Sequence, residues 1–281
     1  MTPKQIQMAS TCGITFPTIR PLFTSPPKPT ALQAWIENQD FSSYPEATTI
    51  AKKMAANIRC ISFNEFLLGL QQTIIDFNAR CKEPYVLWIA QDSPRKLAAG
   101  CSEQWVAGLA LEQCGLRWPE AIVVSDDLDG YLERNPSIKN ILFIDDAAYS
   151  GTHLKRELTP KLNHFKTNKM QGINIFFAIP FMTQKCRVDI IGGLKNEFQE
   201  VNCISLKHES LAIIGDILTT SEKECAKTMD SVDINLTLTY FDHKYPDFMS
   251  TSMILESGRP LLNLTIVNRG TKPRIYGAGI N

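Results

Sequence analysis

Short apolar runs alternate with helix-type spacing of apolar residues through the middle of the chain. Each run is bounded by polar or turn-forming residues, which is typical of a buried parallel strand. Apolar residues three and four apart between the runs predict amphipathic helices. Alternating strands and helices predict an α/β fold with a central parallel sheet between two helix layers and right-handed crossovers. The predicted strands are 85–90, 121–125, 140–144, 173–180, 201–206 and 236–241.

The predicted helices differ in how clearly the sequence marks their ends. Ser62, followed three residues later by Glu65, forms a capping box, so a helix is predicted from Phe63. Its core face consists of Phe63, Phe66, Leu67, Leu70, Ile74 and Phe77. Further helices are predicted at 103–113, 128–134 and 152–158. The last of these is expected to end before Pro160, because proline cannot donate a helical hydrogen bond.

The two ends of the chain lack this alternation. Residues 1–60 are predicted to form an N-terminal extension, which is extended where prolines stand at 17, 21, 26, 27 and 29. Helical patches are predicted within it at 31–37 and 46–58. The α/β domain is predicted to cover 61–255, with 256–281 as a C-terminal tail. No motif with a chemical role lies in the extension, so packing, lid and homo-oligomer contacts all remain open for it.

Composition and charge exclude several classes of protein. The chain has 281 residues, of which 44% are hydrophobic, enough for a sizeable core. Its 29 basic and 29 acidic residues balance, so no general nucleic-acid or anionic-membrane surface is expected. No apolar run approaches the roughly 20 residues of a membrane helix, and the N-terminus lacks the apolar core of a secretory signal. The 8 scattered cysteines favour free thiols in a reducing, cytoplasmic compartment over zinc ligands.

One predicted strand ends in a motif that carries chemistry. The run 140–144 is followed by the adjacent carboxylates Asp145 and Asp146, and then by a small-residue turn with hydroxyls at Ser150 and Thr152. The turn opens a helix, and the backbone N–H groups at a helix N-terminus favour a phosphate. The carboxylates can accept hydrogen bonds from a sugar diol or hold Mg²⁺. A ligand with a phosphate at one end and a diol at the other, such as ribose 5-phosphate, fits both halves of the motif.

The stretch 140–154 resembles the phosphoribosyl-pyrophosphate (PRPP) motif of type I phosphoribosyltransferases, and by layout the resemblance extends over 84–182. It implies a phosphoribosyltransferase-like, Rossmann-like domain that binds a sugar phosphate or nucleotide. Asp145 and Asp146 are then the catalytic carboxylates, contacting the ribose hydroxyls and holding Mg²⁺ through those hydroxyls or water. The residues implied to hold the 5′-phosphate are Ala147, Ala148, Tyr149, Ser150, Gly151 and Thr152. Gly151 is expected to let the backbone come close to the phosphate, because it has no side chain.

The same family has a pyrophosphate-holding loop after its first core strand, which corresponds to 91–102 in this chain. Here Arg95 and Lys96 are the implied cations, and Ser102 is the implied cap of the next helix. A cation at this place offsets charge on the leaving pyrophosphate, and the helix N-terminus adds donors. The alternative interpretation is a solvated basic loop.

A third candidate stretch follows the last predicted strand, where the family recognises its base. Aromatic and polar side chains there could stack on a base and hydrogen-bond to its edge, and they are Tyr240, Phe241, His243 and Lys244. His243 is either a general base or a structural residue. Lys244 could equally form a surface ion pair with Asp247.

A second acidic cluster, Asp126, Asp127 and Asp129, follows the strand 121–125. It matches the beginning of a calcium-binding loop but lacks the later Glu ligand at the right offset. A solvated turn that caps the following helix is the favoured interpretation.

Two departures from the family pattern bear on function. Tyr149 stands where many members have an acid that assists proton transfer, and a phenol is a poor base at neutral pH. His153 stands where many members have Thr or Ser. The resemblance implies Mg²⁺-assisted transfer of a phosphoribosyl group to or from a nitrogenous base, but these departures support binding of a ribose phosphate better than its transfer. The alternative is a catalytically silent or regulatory protein that binds a nucleotide or a partner. A haloacid-dehalogenase-like phosphatase is disfavoured, because that chemistry needs Asp-x-Asp and these aspartates are adjacent.

Overall fold

A computed structural model describes residues 46–57, 59–90, 102–124, 127–228, 237–241, 252–254 and 260–262. These residues fall into two compact units. The first contains Asn64–Leu211, and the second contains the described residues up to Phe63 together with those from Ala212 onward. The helices are α1 (Ala47–Ala56), α2 (Phe63–Arg80), α3 (Ser102–Glu112), α4 (Asp127–Arg134), α5 (Thr152–Thr167), a π-helix (Cys186–Gly192), α6 (Gly193–Glu197), α7 (Ile214–Ile217) and α8 (Thr220–Thr228). The strands are β1 (Arg59–Ile61), β2 (Tyr85–Ile89), β3 (Ala121–Val124), β4 (Asn140–Ile144), β5 (Ala147–Ala148), β6 (Ile173–Ala178), β7 (Phe181–Thr183), β8 (Val201–Ser205), β9 (Glu209–Leu211), β10 (Thr239–Phe241), β11 (Ser252–Ile254) and β12 (Pro260–Leu262).

The centre of the first unit is a five-stranded parallel sheet in the order β3-β2-β4-β6-β8. Every residue of β2 and β4 is buried, since these strands lie inside the sheet and, apart from Asn140, consist of apolar or aromatic residues. The predicted α/β class and the central parallel sheet are therefore confirmed, while the two helix layers and the right-handed crossovers stay predictions. The strand order reverses at β2, because β3 pairs with one edge of β2 and β4 pairs with the other.

A row of aromatic side chains runs across three neighbouring strands of this sheet. The rings of Trp88 on β2 and Phe143 on β4 lie 5.5 Å apart, centroid to centroid, in an edge-to-face arrangement. The rings of Phe143 and Phe177 on β6 lie 6.0 Å apart. All three side chains are almost fully buried, so the row holds β2, β4 and β6 in register below their carboxyl ends.

Helix α2 begins at Phe63, as the capping box predicts. Its buried face consists of Phe66, Leu70, Thr73, Ile74 and Phe77. Phe63 and Leu67, which the helical spacing assigns to the core face, are only partly buried. The predicted helical spacing is therefore confirmed over most of the face, with Thr73 added to it.

Helix α5 does not end before Pro160, so that prediction is wrong. The helix continues to Thr167, and Pro160 lies on its exposed side. The residues of its buried stripe are Leu154, Leu158, Leu162 and Phe165. Two of these lie beyond the proline, and we infer that their burial outweighs the roughly 3 kcal/mol that proline costs inside a helix.

A small three-stranded parallel sheet continues the central one beyond three of its strands. Its order is β5-β7-β9, and these strands follow β4, β6 and β8 along the chain. The sequence predicted a small-residue turn directly after Asp146 and one continuous strand over 173–180. Instead Ala147 and Ala148 pair with Phe181 and Met182, so the segment after the two aspartates is tied into a second sheet.

The second unit contains α1, which lies within the helical patch predicted at 46–58. Its strand β1 pairs in parallel with β10, with Ile61 opposite Phe241. The late strand predicted at 236–241 therefore belongs to a two-stranded sheet with β1 and not to the central sheet. The boundaries predicted at 60 and 255 stay predictions, but the grouping of β1 with residues after Ala212 was not indicated by the sequence.

Five cysteines among the described residues are free thiols, as predicted: Cys81, Cys114, Cys186, Cys203 and Cys225. Burial raises the pKa of Cys114 and of Cys186 to about 12, so both are protonated and poorly nucleophilic at neutral pH. Within the described ranges, no helix combines the length and the apolar character that crossing a bilayer requires.

Candidate functional site

The candidate site lies at the carboxyl ends of β2 and β4. These are the neighbouring strands between which the strand order reverses. In open parallel sheets a crevice forms outside the strands at such a reversal, and ligands bind there. Asp145 and Asp146 follow β4 directly, at 7% and 4% exposure. The sequence identified these two residues, and the strand order now places them at the switch point of the sheet.

Each of the two aspartates is oriented by a backbone amide of the same turn. Asp145 Oδ1 accepts a hydrogen bond from the amide of Asp146 at 2.8 Å. Asp146 Oδ1 accepts one from the amide of Ala147, also at 2.8 Å. The amide of Asp145 donates to the carbonyl of Ala178 on β6, at 3.2 Å. Because both carboxylates are held in this way, they are preorganised acceptors.

The turn continues into the N-terminus of α5, where the two predicted hydroxyls meet. Ser150 Oγ donates to Thr152 Oγ1 at 3.1 Å and accepts from the amide of Thr152 at 3.3 Å. The amide of Ala147 is already bonded to Asp146, so a phosphate held by amides from this turn has to use those nearer to the helix. The predicted grouping of the hydroxyls at a helix start is present, and phosphate binding there stays a prediction.

The backbone conformation and the packing of the turn require glycine at position 151. Its φ of 73° lies in the left-handed region, and a Cβ atom at this position would come within 2.5 Å of Ile190 Cγ1 and 2.7 Å of Cys186 Sγ. The space that a side chain would need is therefore filled by the π-helix. This packing is a structural reason for the glycine, and close approach of a phosphate to its backbone stays a prediction.

Thr183, which sequence reasoning missed, ties the same turn to the π-helix. It is fully buried, and its Oγ1 donates to the carbonyl of Tyr149 and accepts from the amide of Cys186 at 3.1 Å. No motif in the sequence marks this threonine, because its role depends on the pairing of β5 with β7. Gly151 and Thr183 together fix the turn from the side of the π-helix.

A second constellation gathers around Asp145. One ligand atom each from Glu103, Asp145 and His153 lies within 4.8 Å of the others. Glu103 sits in the first turn of α3 at 3% exposure, and its Oε1 is 3.2 Å from His153 Nε2. Sequence reasoning assigned no role to Glu103. The sequence places Glu103 in the first turn of the helix after the first core strand, but it does not indicate that the side chain is buried.

The surroundings of His153 define its hydrogen bonds. Its Nδ1 lies 2.8 Å from Arg156 Nη2 and 3.8 Å from Glu157 Oε1. A guanidinium only donates, so Nδ1 is the acceptor and Nε2 carries the proton that faces Glu103. The hydrogen bond with Glu103 raises the pKa of His153, against the opposing effects of burial and of Arg156.

The remaining predicted residues fall into two groups. Arg95, Lys96, His243 and Lys244 lie outside the described residues, as do the Pro-containing stretch of the extension and the patch 31–37. Ser102 is the first residue of α3, directly before Glu103, and its role as the helix cap stays a prediction. Tyr240 lies in β10, and Phe241 is 1% exposed in the second unit. The Phe241 ring is therefore buried in a core, and a base-recognising role for this stretch stays a prediction.

The second acidic cluster has a structural role in the described residues. Asp127 and Asp129 lie in the first turn of α4, where carboxylates favour the helix dipole. Asp129 Oδ2 pairs with Lys161 Nζ at 2.9 Å. The predicted helix start is confirmed, and Asp126 lies outside the described part of the chain.

Comparison of the chain with models of protein families, with curated proteins and with solved structures finds no match.

Proposed function

We propose that the protein binds a ribose 5-phosphate group, as PRPP or a nucleoside monophosphate, and transfers the phosphoribosyl group to or from a nitrogenous base. The observation that carries this proposal is the pair of buried, oriented carboxylates at the switch point of the sheet. The phosphoribosyltransferase-like fold is part of the proposal, and the strand order β3-β2-β4-β6-β8 supports it as an order used by open α/β sheets with ligands at this place.

The chemistry of the two aspartates suits a vicinal diol. An ionised carboxylate only accepts, and each ribose hydroxyl donates one hydrogen bond. One oxygen of each aspartate already accepts from the turn, which fixes the direction of the carboxylate before the sugar arrives. Charge-assisted hydrogen bonds of this kind contribute about 1.5–3 kcal/mol each. Ser150 and Thr152, at the start of α5, are the proposed donors to the 5′-phosphate.

In the forward reaction the C1–O bond to pyrophosphate breaks, and its electron pair leaves with the pyrophosphate. A ring nitrogen of the base forms the new bond to C1, and its proton is then transferred to the released pyrophosphate or to water. Asp145 and Asp146 lie beside the hydroxyls of a ribose whose C1 becomes oxocarbenium-like, where negative charge is stabilising. Bound Mg²⁺, held through the sugar hydroxyls or water, would offset the charge of the pyrophosphate.

The test is thermal unfolding with PRPP and Mg²⁺. We expect wild-type protein to gain about 2.7 kcal/mol at roughly 100 times Kd. The double change Asp145→Asn and Asp146→Asn should abolish the gain, since each Asn keeps the oxygen that accepts the amide but loses the charge. The matched control, Asp127→Asn with Asp129→Asn, removes the same two charges from α4 and should keep it. No gain with the wild type would overturn the proposal.

A catalytically silent binding protein is the second candidate, and Tyr149 in the phosphate turn favours it. Release of pyrophosphate from PRPP in the presence of purine and pyrimidine bases distinguishes the two. Stabilisation by PRPP together with pyrophosphate release supports the transferase. Stabilisation without release from any base supports the silent protein.

A further inference from the structure

Glu103, Asp145 and His153 come from three separate parts of the chain: the first turn of α3, the end of β4 and the first turn of α5. Their ligand atoms nevertheless lie within 4.8 Å of one another. We propose that these three side chains bind a divalent transition-metal ion directly, in the absence of any sugar phosphate. This site differs from the Mg²⁺ of the proposed reaction, which is held through substrate hydroxyls or water, and it does not depend on that reaction.

The donor set determines which ion is preferred. Two carboxylate oxygens and one imidazole nitrogen suit Mn²⁺, Fe²⁺, Co²⁺ and Zn²⁺, whereas Mg²⁺ prefers oxygen ligands alone. Two carboxylates at this separation repel each other, and a shared cation offsets the repulsion. Three protein ligands also leave coordination positions for water or for an oxygen of a bound molecule.

The ligands are largely preformed. Glu103 and Asp145 are 3% and 7% exposed, and Asp145 is oriented by the amide of Asp146. Little rotamer freedom is therefore lost when these two carboxylates bind an ion. The His153 side chain is 32% exposed, which leaves the ion a path from solvent.

Metal binding requires one change at His153. Without metal, Nε2 carries a proton that faces Glu103. An ion that binds at Nε2 requires this proton to leave, so the imidazole proton moves to Nδ1. The neutral ring therefore releases no net proton. Glu157 Oε1, at 3.8 Å from Nδ1, can accept that proton in a hydrogen bond once Arg156 turns aside. The Arg156 side chain is 58% exposed and can rotate into solvent. A carboxylate behind a metal-bound histidine is the usual partner of the second ring nitrogen.

The experiment titrates metal-free full-length protein with Mn²⁺ or Mg²⁺ alone, followed by calorimetry and by the electron paramagnetic resonance signal of Mn²⁺. Mn²⁺ is the chosen probe because thiols bind it poorly, so the cysteines do not compete. We expect one Mn²⁺ per chain, bound at least about tenfold more tightly than Mg²⁺. His153→Asn and Glu103→Gln should each weaken Mn²⁺ binding by at least tenfold, and Glu157→Gln by about tenfold or more.

The matched control is His164→Asn. His164 lies on the same helix, its side chain is also 32% exposed, and its Nε2 is 3.0 Å from Glu133 Oε1, so it reproduces the histidine–carboxylate pair outside the proposed site. This variant should bind Mn²⁺ like the wild type. If Glu103→Gln fails to fold, as judged by circular dichroism, the more exposed His153 still provides the test.

Asp146→Asn separates this proposal from the proposed function. It should lose stabilisation by PRPP and keep Mn²⁺ affinity, because only Asp145 is shared between the two sites. The metal site is overturned if wild-type protein binds no Mn²⁺ at millimolar concentration. It is also overturned if His153→Asn binds as tightly as the wild type, or if His164→Asn loses as much affinity as His153→Asn.

Discussion

Two acidic segments follow two strands of the same parallel sheet, and they differ in what surrounds them. Asp145 and Asp146 follow β4, while Asp127 and Asp129 open α4 after β3. β4 lies next to β2, where the strand order reverses, whereas β3 is an edge strand of this sheet. The first pair is at most 7% exposed, but Asp127 is exposed. The place of a strand in the sheet, and not acidity, therefore distinguishes a candidate site from a helix start.

The two segments also differ in how they are held. The Asp145 turn is fixed by its own amides, by Thr183 and by the contact of Gly151 with the π-helix. The Asp129 carboxylate is held by an ion pair with Lys161. Substitutions in the first segment should therefore cost more stability than substitutions in the second.

The largest effect is expected for Gly151→Ala. A left-handed backbone costs a non-glycine residue about 1–2 kcal/mol, and overpacking against Ile190 and Cys186 costs about 1–3 kcal/mol more. The free energy of unfolding, measured with denaturant, should fall by about 2–5 kcal/mol. The control is Gly172→Ala, because Gly172 has a φ of 71° but a Cβ atom there would meet nothing within 4 Å among the described residues. Equal losses for the two variants would contradict the packing role of Gly151.

The next largest effect is expected for Thr183→Val. Valine keeps the shape but leaves the carbonyl of Tyr149 and the amide of Cys186 without this hydroxyl, and a buried unsatisfied group costs about 1–3 kcal/mol. Thr159→Val is the control, since the Thr159 hydroxyl donates to a carbonyl within its own helix at 2.8 Å. Its stability should change by less than about 0.5 kcal/mol. Chemical denaturation measures both, and a larger loss at Thr159 would show that the turn is not braced as described.

A smaller effect is expected for Lys161→Met. The Lys161 and Asp129 side chains are 13% and 20% exposed, so the cost of removing both charges from water offsets most of their attraction, and the ion pair should contribute about 1 kcal/mol. A double-mutant cycle with Asp129→Asn isolates that coupling energy. Stabilisation by PRPP should be unchanged in all three variants of the cycle. A loss of PRPP binding here would remove the functional distinction between the two acidic segments.

The last effect is confined to acid pH and concerns an acid in the second unit that serves as a reference for a simple ion pair. Lys53 Nζ lies 2.7 Å from Glu222, and this hydrogen bond, together with the amide of Thr219, lowers the pKa of Glu222 from 4.5 to about 2. A lowered folded-state pKa adds stability above the unfolded value, and that stability is lost as pH falls from 4.5 towards about 2. In Glu222→Gln this part of the acid dependence should disappear from denaturation curves. An unchanged acid dependence would contradict the pairing.

Local pattern predicted much of the fold. The apolar runs identified β2, β3, β4, β6 and β8, and the capping box identified the start of α2. Local pattern was a poor guide at Pro160, because whether a helix passes a proline depends on which side of the helix is buried. It did not indicate that the strand of Phe241 pairs with β1, because β1 lies far away in the sequence.

Neighbouring residues in the chain account for the alternation of strands and helices and for the adjacent carboxylates at the end of a buried strand. Other features follow from packing between distant segments. This packing placed β4 beside β2, set the π-helix against Gly151, and brought Glu103 to His153 across 50 residues. These arrangements depend on which distant segments pack together, and that choice is made by the burial of the whole core.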